Sequence, residues 1–413
     1  MLYLNYKTEK VFLKNAFAFE RVLFMKKFRK LTALILAVIL TFSVTSVTVS
    51  AASAADSVNT AAISVETIFD LVKKIISLFA GSSNPQTDIS FTVEQGEIFT
   101  QKQVSFDSAH ASTVAQLLDG RLLSAWFGGS GEGNSDVRIW YSFYNDGAWS
   151  APAVIETTDT VAHWNPVLQN FGLYVRLYYK VGKDTETWVT KYCDYSVLTG
   201  KWSSPKELVP GDTTGGRGPV KNKCLVTSKG VIIAPASTEQ GDWHAFFDIS
   251  RDGGLTWTKT DYVATPKGTL GTKVSMIQPT LWEDKDGVVH ALFRTKSGYV
   301  YRSDSTDGGF TWCEAYKTSL PNNNSGIDVV MTDNGWLWLA YNPINAQGLR
   351  YKLMLAVSKD NGETWEDVQM LESSPLIWKE YSYPSLIADG NKIYMTYTYE
   401  REIIKYAFIE FEE

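Results

Sequence analysis

S-R-D-G-G-L-T-W at Ser250–Trp257, S-T-D-G-G-F-T-W at Ser305–Trp312 and S-K-D-N-G-E-T-W at Ser358–Trp365 are three copies of one phrase. Their tryptophans, Trp257, Trp312 and Trp365, stand 55 and 53 residues apart. The same stride backwards reaches Trp202, 55 residues earlier, and then Trp149, 53 before that, in the worn versions S-V-L-T-G-K-W and N-D-G-A-W. Self-similarity at a fixed period of this size marks a repeat architecture. The phrase itself is turn chemistry: an Asp carboxylate accepts backbone N–H groups, and Gly takes positive φ at no steric cost. The alternating, β-branched and aromatic runs on either side read as strands. Each copy is therefore expected to be a hairpin turn, pinned by its Ser hydroxyl and its Trp ring.

With its flanking strands, the phrase resembles the Asp-box of the sialidase superfamily, Ser-x-Asp-x-Gly-x-Thr-Trp. The likeness runs from about Val104 to the C-terminus. It implies an all-β fold, a six-bladed β-propeller whose boxes are structural and lie away from the active face. The stride divides the chain to match. Blade one has strands near Ser112–Leu117, Arg121–Phe127, Val137–Tyr144 and Trp149–Ile155. The next blades begin at His163, Pro219, Gln278, Ile327 and Tyr383. The sixth ends at Ile403–Phe411, one strand short, and Gly96–Phe106 is expected to supply its outer strand from the N-terminal side. Such closure removes the open edge.

A hydrophobic content of 44% in 413 residues, with 14 Trp, is enough for one large, evenly repeated domain. Residues Met25–Ala55 read as a secretory signal: Lys26, Lys27, Arg29 and Lys30, the apolar run Leu31–Phe42, and the small-residue site Ala52-Ser53-Ala54. Met25 is then the expected true start, and the protein is expected outside the bacterial cell. Its domains are a signal region (1–55), a helix and linker (56–90) and the propeller (91–413). Ile63–Ala80 has the periodicity of an amphipathic helix through Val65, Phe69, Val72, Ile76 and Phe79. It is expected to dock on the domain, to act as a stalk or to associate with a cell surface.

Removing Met1–Ala55 takes eight basic and two acidic residues from 39 and 45, leaving 31 against 43, a net of −12. That acidity argues against nucleic acid as a partner. Cys193, Cys224 and Cys313 form neither a disulfide framework nor a metal-ligand spacing. No cofactor and no metal are expected, and the protein is expected to be a monomer.

In a propeller the first strand of each blade lines the central channel. The residues leading into these strands are polar: Ser108-Ala-His110, His163-Trp164-Asn165-Pro166, Arg217-Gly-Pro-Val-Lys221-Asn222-Lys223, Gln278-Pro279, Asn324-Ser325-Gly326-Ile327-Asp328 and Glu380-Tyr381-Ser382-Tyr383-Pro384. Their convergence on one axis predicts a pocket, although any one of them can equally serve a structural hydrogen bond. The stretch from Gln278 to Arg294 resembles the sialidase Glu-Pro-…-Asp-Gly-…-Arg, and Tyr383-Pro-Ser-Leu-Ile-Ala-Asp-Gly resembles the stretch bearing the nucleophile. The resemblance gives Tyr383 the nucleophile position and Arg294 a carboxylate-binding position. Asp136 takes that of the acid/base, with Glu132 as the alternative, and Arg350 aligns loosely with a third arginine.

The chain departs from sialidases at two of these places. His110-Ala-Ser replaces the first-blade Arg-Ile-Pro, and Gln278 stands where the tyrosine's carboxylate partner belongs. Neither side chain reproduces a guanidinium fork or accepts the tyrosine's proton. The catalytic candidates are Tyr383, Asp136, His110 and Gln278. Those for substrate binding are Arg294, His163, Asn165, Arg217, Lys221, Lys223, Asp328 and Tyr381. Three readings follow. The first is a hydrolase acting at the end of an acidic oligosaccharide. The second is a lyase, in which cations acidify the C5 proton of a uronate and His or Tyr moves it; the pattern also resembles a sialidase-like branch acting on rhamnosyl-glucuronate ends. The third is a glycan-binding propeller without catalysis.

Overall fold

The computed structural model describes residues 85, 87–267 and 273–412. The expected signal and the Ile63–Ala80 helix lie outside the described residues. Among those described, the strands form six antiparallel sheets, one per blade, and the only helix is a short 3₁₀ turn at Gln101–Gln103. The inner strands of the first two blades are Ser108–Gln116 and His163–Asn170. In blade three only Leu225–Val226 is regular. Blades four to six start with Met276–Glu283, Asp328–Met331 and Tyr381–Asp389. Strands pair in chain order within each blade, as repeated hairpins dictate.

The ring closes as expected, by an N-terminal strand added outside Ile403–Phe411, but that strand is Phe91–Glu97 rather than Gly96–Phe106. Composition explains the shift. Phe91 and Val93 alternate toward the sixth-blade core, whereas Phe99 and Phe106 turn into the first blade. There Phe99 stacks on Trp126 at 4.9 Å and Phe106 meets Trp140 edge-on at 4.9 Å. Gly96 is required at the end of the strand, since a Cβ there would sit 2.6 Å from the Tyr406 ring.

The core is distributed between the blades. Each of six buried apolar clusters straddles two neighbours: Phe127 with Tyr179 (blades one and two), Phe247 with Phe293 (three and four), Trp338 with Met395 (five and six). Leu292 with Leu339, Ile403 with Trp126, and Tyr178 with Ile232 complete the circuit. Burying one such side chain fully contributes about 1.5–3 kcal/mol. No blade can gain this alone, which is why the repeats stack into a ring.

The three full repeats share one hydrogen-bond pattern. Asp252 Oδ1 accepts the N–H groups of Leu255 (3.1 Å) and Thr256 (2.9 Å), Oδ2 accepts the Thr256 hydroxyl, and Ser250 Oγ accepts Gly254 N–H at 2.8 Å. Asp307 and Asp360 repeat the contacts to Thr311 and Thr364. Gly309 takes φ +92, where a Cβ would come within 2.5 Å of Ile233 in the preceding blade. Registers place these turns. Gln116 pairs with Leu122, and Leu122 with Tyr144, so the third-to-fourth strand turns share an end with the inner hairpins. The inner strands start at the opposite end.

Candidate active site

At that opposite end all six blades carry a non-glycine residue at positive φ: Ala111 (55°), Asn165 (41°), Lys221 (69°), Gln278 (53°), Asn324 (65°) and Tyr383 (54°). In four of them the inner strand changes register at the same point, between His110 and Thr113, Trp164 and Val167, Ile277 and Thr280, and Ser382 and Ser385. Each left-handed residue costs about 1–3 kcal/mol. A bulge re-aims side chains that a regular strand would direct along the sheet faces.

Four sequence candidates meet here. Tyr383 Oη lies 2.6 Å from Arg294 Nη1, which also donates to Gln278 Oε1 at 2.9 Å. Arg294 Nε donates to Asn324 Oδ1 at 3.0 Å. The His110 ring packs against Tyr383, centroids 4.2 Å apart, with neither of its buried nitrogens hydrogen-bonded among the described residues. Burial first, and then the positive charge of Arg401, hold its pKa well below the ordinary value, so the imidazole is neutral.

Two further arginines complete the cluster. Arg350 lies over the Tyr383 ring at 5.6 Å and binds Glu380 Oε1 at 2.7 Å. Arg401 binds Glu380 Oε2 at 2.9 Å and Glu132 Oε2 at 2.6 Å. Burial would raise the Glu380 carboxyl, but Arg350 and Arg401 together hold it well below the carboxylate range. Trp243 overhangs the group, its ring 5.3 Å from the Arg294 guanidinium carbon. Behind Gln278, its Nε2 donates to Glu239 Oε1 at 3.0 Å. Burial pushes the Glu239 carboxyl up, against the pull of Arg294.

Several candidates are placed elsewhere. Lys221 crosses the channel, its ammonium donating to Asn222 Oδ1 (2.8 Å), the Ile327 carbonyl (2.9 Å) and the Pro384 carbonyl. Burial lowers its pKa to about 7, while three acceptors occupy all three N–H positions of an ammonium. Lys223 binds Asp328 at 2.9 Å, and Asp328 also accepts Thr280 Oγ1 (2.7 Å) and Leu386 N–H (2.8 Å). Arg217 is held by Asp248 (2.8 Å) and Asp212 (2.9 Å) in blade three.

His163 is fully buried 3.4 Å from Asp159, with its pKa lowered by burial to about 4. Tyr381 packs on Tyr399 at 5.1 Å, in the core between blades five and six. Asn165 keeps its place at the start of blade two and makes no side-chain hydrogen bond among the described residues. Asp136 accepts both Ser130 N–H and Ser130 Oγ at 2.8 Å, so of the two acid candidates Glu132 is the one that touches the arginines.

Glu239, Trp243 and Arg401 were not among the candidates, and Glu380 was read only as part of the polar lead into blade six. Arg401 had one signal. It sits in the hairpin Tyr399-Glu400-Arg401-Glu402, where Glu402 N–H donates to the Tyr399 carbonyl at 3.1 Å. Both central residues take positive φ, 57° and 59°, in a turn that ordinarily asks for Asn-Gly. A charged pair there, without glycine, indicates side chains retained for their contacts. The Arg401 carbonyl accepts Ala109 N–H at 2.9 Å, which holds the turn beside His110.

Comparison with known proteins bears on the family. The model of the BNR repeat-like domain matches residues 120–395, well over half of the chain. No curated protein matches. Among solved structures, a protein of unknown function from Dyadobacter fermentans superposes with a TM-score of 0.62 at 16% identity, over 78% of this chain and 99% of that one. The Hadza microbial sialidase Hz136 gives 0.62 at 15%, over 76% and 67%. Trypanosoma rangeli sialidase in complex with sialic acid gives 0.61 at 16%, over 80% of this chain and 60% of its own length. The present chain thus spans about three-fifths of the trypanosomal enzyme, and identities this low establish the fold alone. The chain belongs to the BNR repeat-like family and carries the six-bladed propeller of the sialidase superfamily.

Proposed function

We propose that the protein is a glycan-active enzyme that seats the carboxylate of a terminal acidic sugar against Arg294, Arg350 and Arg401 and acts on its glycosidic bond through Tyr383. The observation that carries this reading is the 2.6 Å contact of Tyr383 Oη with Arg294, at a point where two further guanidinium groups gather. Fixed cations recognise a carboxylate by charge-assisted, bidentate hydrogen bonds. In the hydrolytic form, Tyr383 Oη gives up its proton to the neutral His110 packed on its ring and attacks the anomeric carbon, whose bond to the leaving oxygen breaks. Glu132 or Asp136 supplies that oxygen's proton and, as the carboxylate, takes one back from the water that displaces the sugar from the tyrosine, while His110 returns the tyrosine's own proton. Export through Met25–Ala55 belongs to the same proposal.

His110 favours a second reaction on the same substrate class. A neutral imidazole with both nitrogens free, packed on Tyr383, suits removal of the C5 proton of a uronate. The C4–O bond then breaks, a C4–C5 double bond forms, and Tyr383 protonates the leaving oxygen.

The test is incubation of the full chain with sialosides and, separately, with rhamnosyl-glucuronate oligosaccharides. Released sialic acid supports hydrolysis, and a rise in unsaturated-uronate absorbance supports the lyase. Binding of either panel without turnover leaves a lectin-like propeller and overturns the enzyme reading.

A further inference from the structure

Where the resemblance to sialidases calls for a carboxylate, this chain has Gln278, yet a carboxylate lies directly behind it. Glu239 follows the second strand of blade three, Ile232–Thr238, and reaches across to blade four. It is half-buried, and its Oε1 accepts Ser237 Oγ at 3.1 Å and Gln278 Nε2 at 3.0 Å. The other end of the Gln278 amide, Oε1, accepts Arg294 Nη1 at 2.9 Å. Gln278 is fully buried, and its backbone is fixed separately by Asn222 Nδ2, 3.0 Å from the Gln278 carbonyl.

A primary amide has one donor end and one acceptor end, whereas a carboxylate only accepts and a guanidinium only donates. Between Glu239 and Arg294, therefore, only one orientation of the amide satisfies both neighbours. The flipped amide would set N–H against N–H on one side and oxygen against oxygen on the other.

We propose that Glu239 is a positioning residue of the site: it fixes the Gln278 amide end for end, making it an acceptor toward Arg294, and thereby directs Arg294 Nη1 at Tyr383 Oη. This rests on the reading of Arg294 and Tyr383 given above. The chain Glu239–Gln278–Arg294–Tyr383 joins blades three, four and six. It gives the mouth a carboxylate two residues removed from the tyrosine, in place of one in contact with it.

Three variants of the full chain test the proposal, Glu239→Ala, Glu239→Gln and the exchange Glu239→Gln with Gln278→Glu. A glutamine at 239 can still present its oxygen to Gln278, and the exchanged pair can still present a carboxylate oxygen to Arg294; alanine can do neither. Tyr383 is followed by the ¹³Cζ resonance that disappears in Tyr383→Phe, and turnover is measured on whichever glycan wild type cleaves. Glu239→Ala is expected to shift the Tyr383 resonance and to lower kcat about 10²-fold, as misplacement of a reacting group does, with KM changed far less. Glu239→Gln and the exchange are expected to restore the resonance and most of the rate. Glu239→Gln as damaged as Glu239→Ala would overturn the proposal, because the charge and not the orientation would then matter. So would a Glu239→Ala protein, folded by circular dichroism, whose Tyr383 resonance matches wild type. If wild type cleaves no glycan, the functional reading fails, while the resonance still decides the role of Glu239.

Discussion

Replacing Arg294 by Lys keeps a positive charge and removes the fork. Arg294 is 7% exposed and makes three contacts, from Nη1 to Tyr383 Oη (2.6 Å) and Gln278 Oε1 (2.9 Å), and from Nε to Asn324 Oδ1 (3.0 Å). A single ammonium on a flexible stem cannot reproduce two nitrogens held in one plane. Holding Tyr383 leaves Gln278 or Asn324, or both, without a charged donor. At about 1.5–3 kcal/mol for each hydrogen bond to a charged group, losing two weakens the assembled site by about 3–6 kcal/mol. At 1.4 kcal/mol per factor of ten this corresponds to about 10²–10⁴ in kcat/KM. The assay is initial rates on the cleaved glycan, with calorimetric titration of free glucuronate and N-acetylneuraminate and urea unfolding in parallel. The urea midpoint is expected to fall as well, because the same bonds are made within the folded protein. A Lys variant with wild-type kcat/KM and affinity would refute the reasoning and make Arg294 an architectural residue.

Other perturbations separate the mouth from the frame. Gly309→Ala forces a left-handed alanine against Ile233, so unfolding in urea should be at least about 1–2 kcal/mol easier. Glycan affinity should be unchanged, since the turn lies at the far end of the blade. Arg401→Gly relieves a positive-φ residue in the sixth-blade hairpin and removes one guanidinium of the cluster. Titration with glucuronate should show about tenfold weaker binding, as for one charge-assisted contact.

Stability should also fall as pH drops through the range set by His163. Its folded pKa of about 4 lies below the ordinary 6.5, so between those values the unfolded chain binds a proton that the folded chain refuses. Stability therefore rises with pH across this window and is lost on acidification, by about 3 kcal/mol at full extent. His163→Phe, packed against Tyr179, should flatten that share of the urea-derived pH profile; an unchanged slope would show that His163 titrates normally.

What could be read in advance depended on how local the physics was. The Asp-boxes were legible because Asp252, Asp307 and Asp360 bond only within their own turns. Tyr383, Arg294, Gln278 and His110 were legible because the repeat stride placed them at blade starts, where a buried strand has no need of such polarity. That same logic also selected Arg217, Lys223 and Asp328, whose charges are consumed by partners in the propeller wall and channel. Sequence displays a charge but not its partner. Glu239 and Arg401 escaped for the converse reason. Each reaches the mouth from the far end of a second strand, and only blade-to-blade packing brings it beside a first strand.

The closing strand carries a consequence for how the protein reaches this state. Glu94 and Tyr406, hydrogen-bonded across the seam, are separated by 312 residues of chain. Bringing ends that far apart together costs about 5 kcal/mol in the logarithmic term of loop-closure entropy alone. Contacts of such separation form late and slow folding, whereas each hairpin within a blade is a short-range event. The blades are thus expected to assemble first, and the seam to fasten last. Until it does, Ile403–Phe411 presents an unpaired edge that any extended chain can occupy. Arg401 lies at the head of that same strand, and its contact with Glu132 of the first blade, 269 residues away in the chain, belongs to the same late class as the seam.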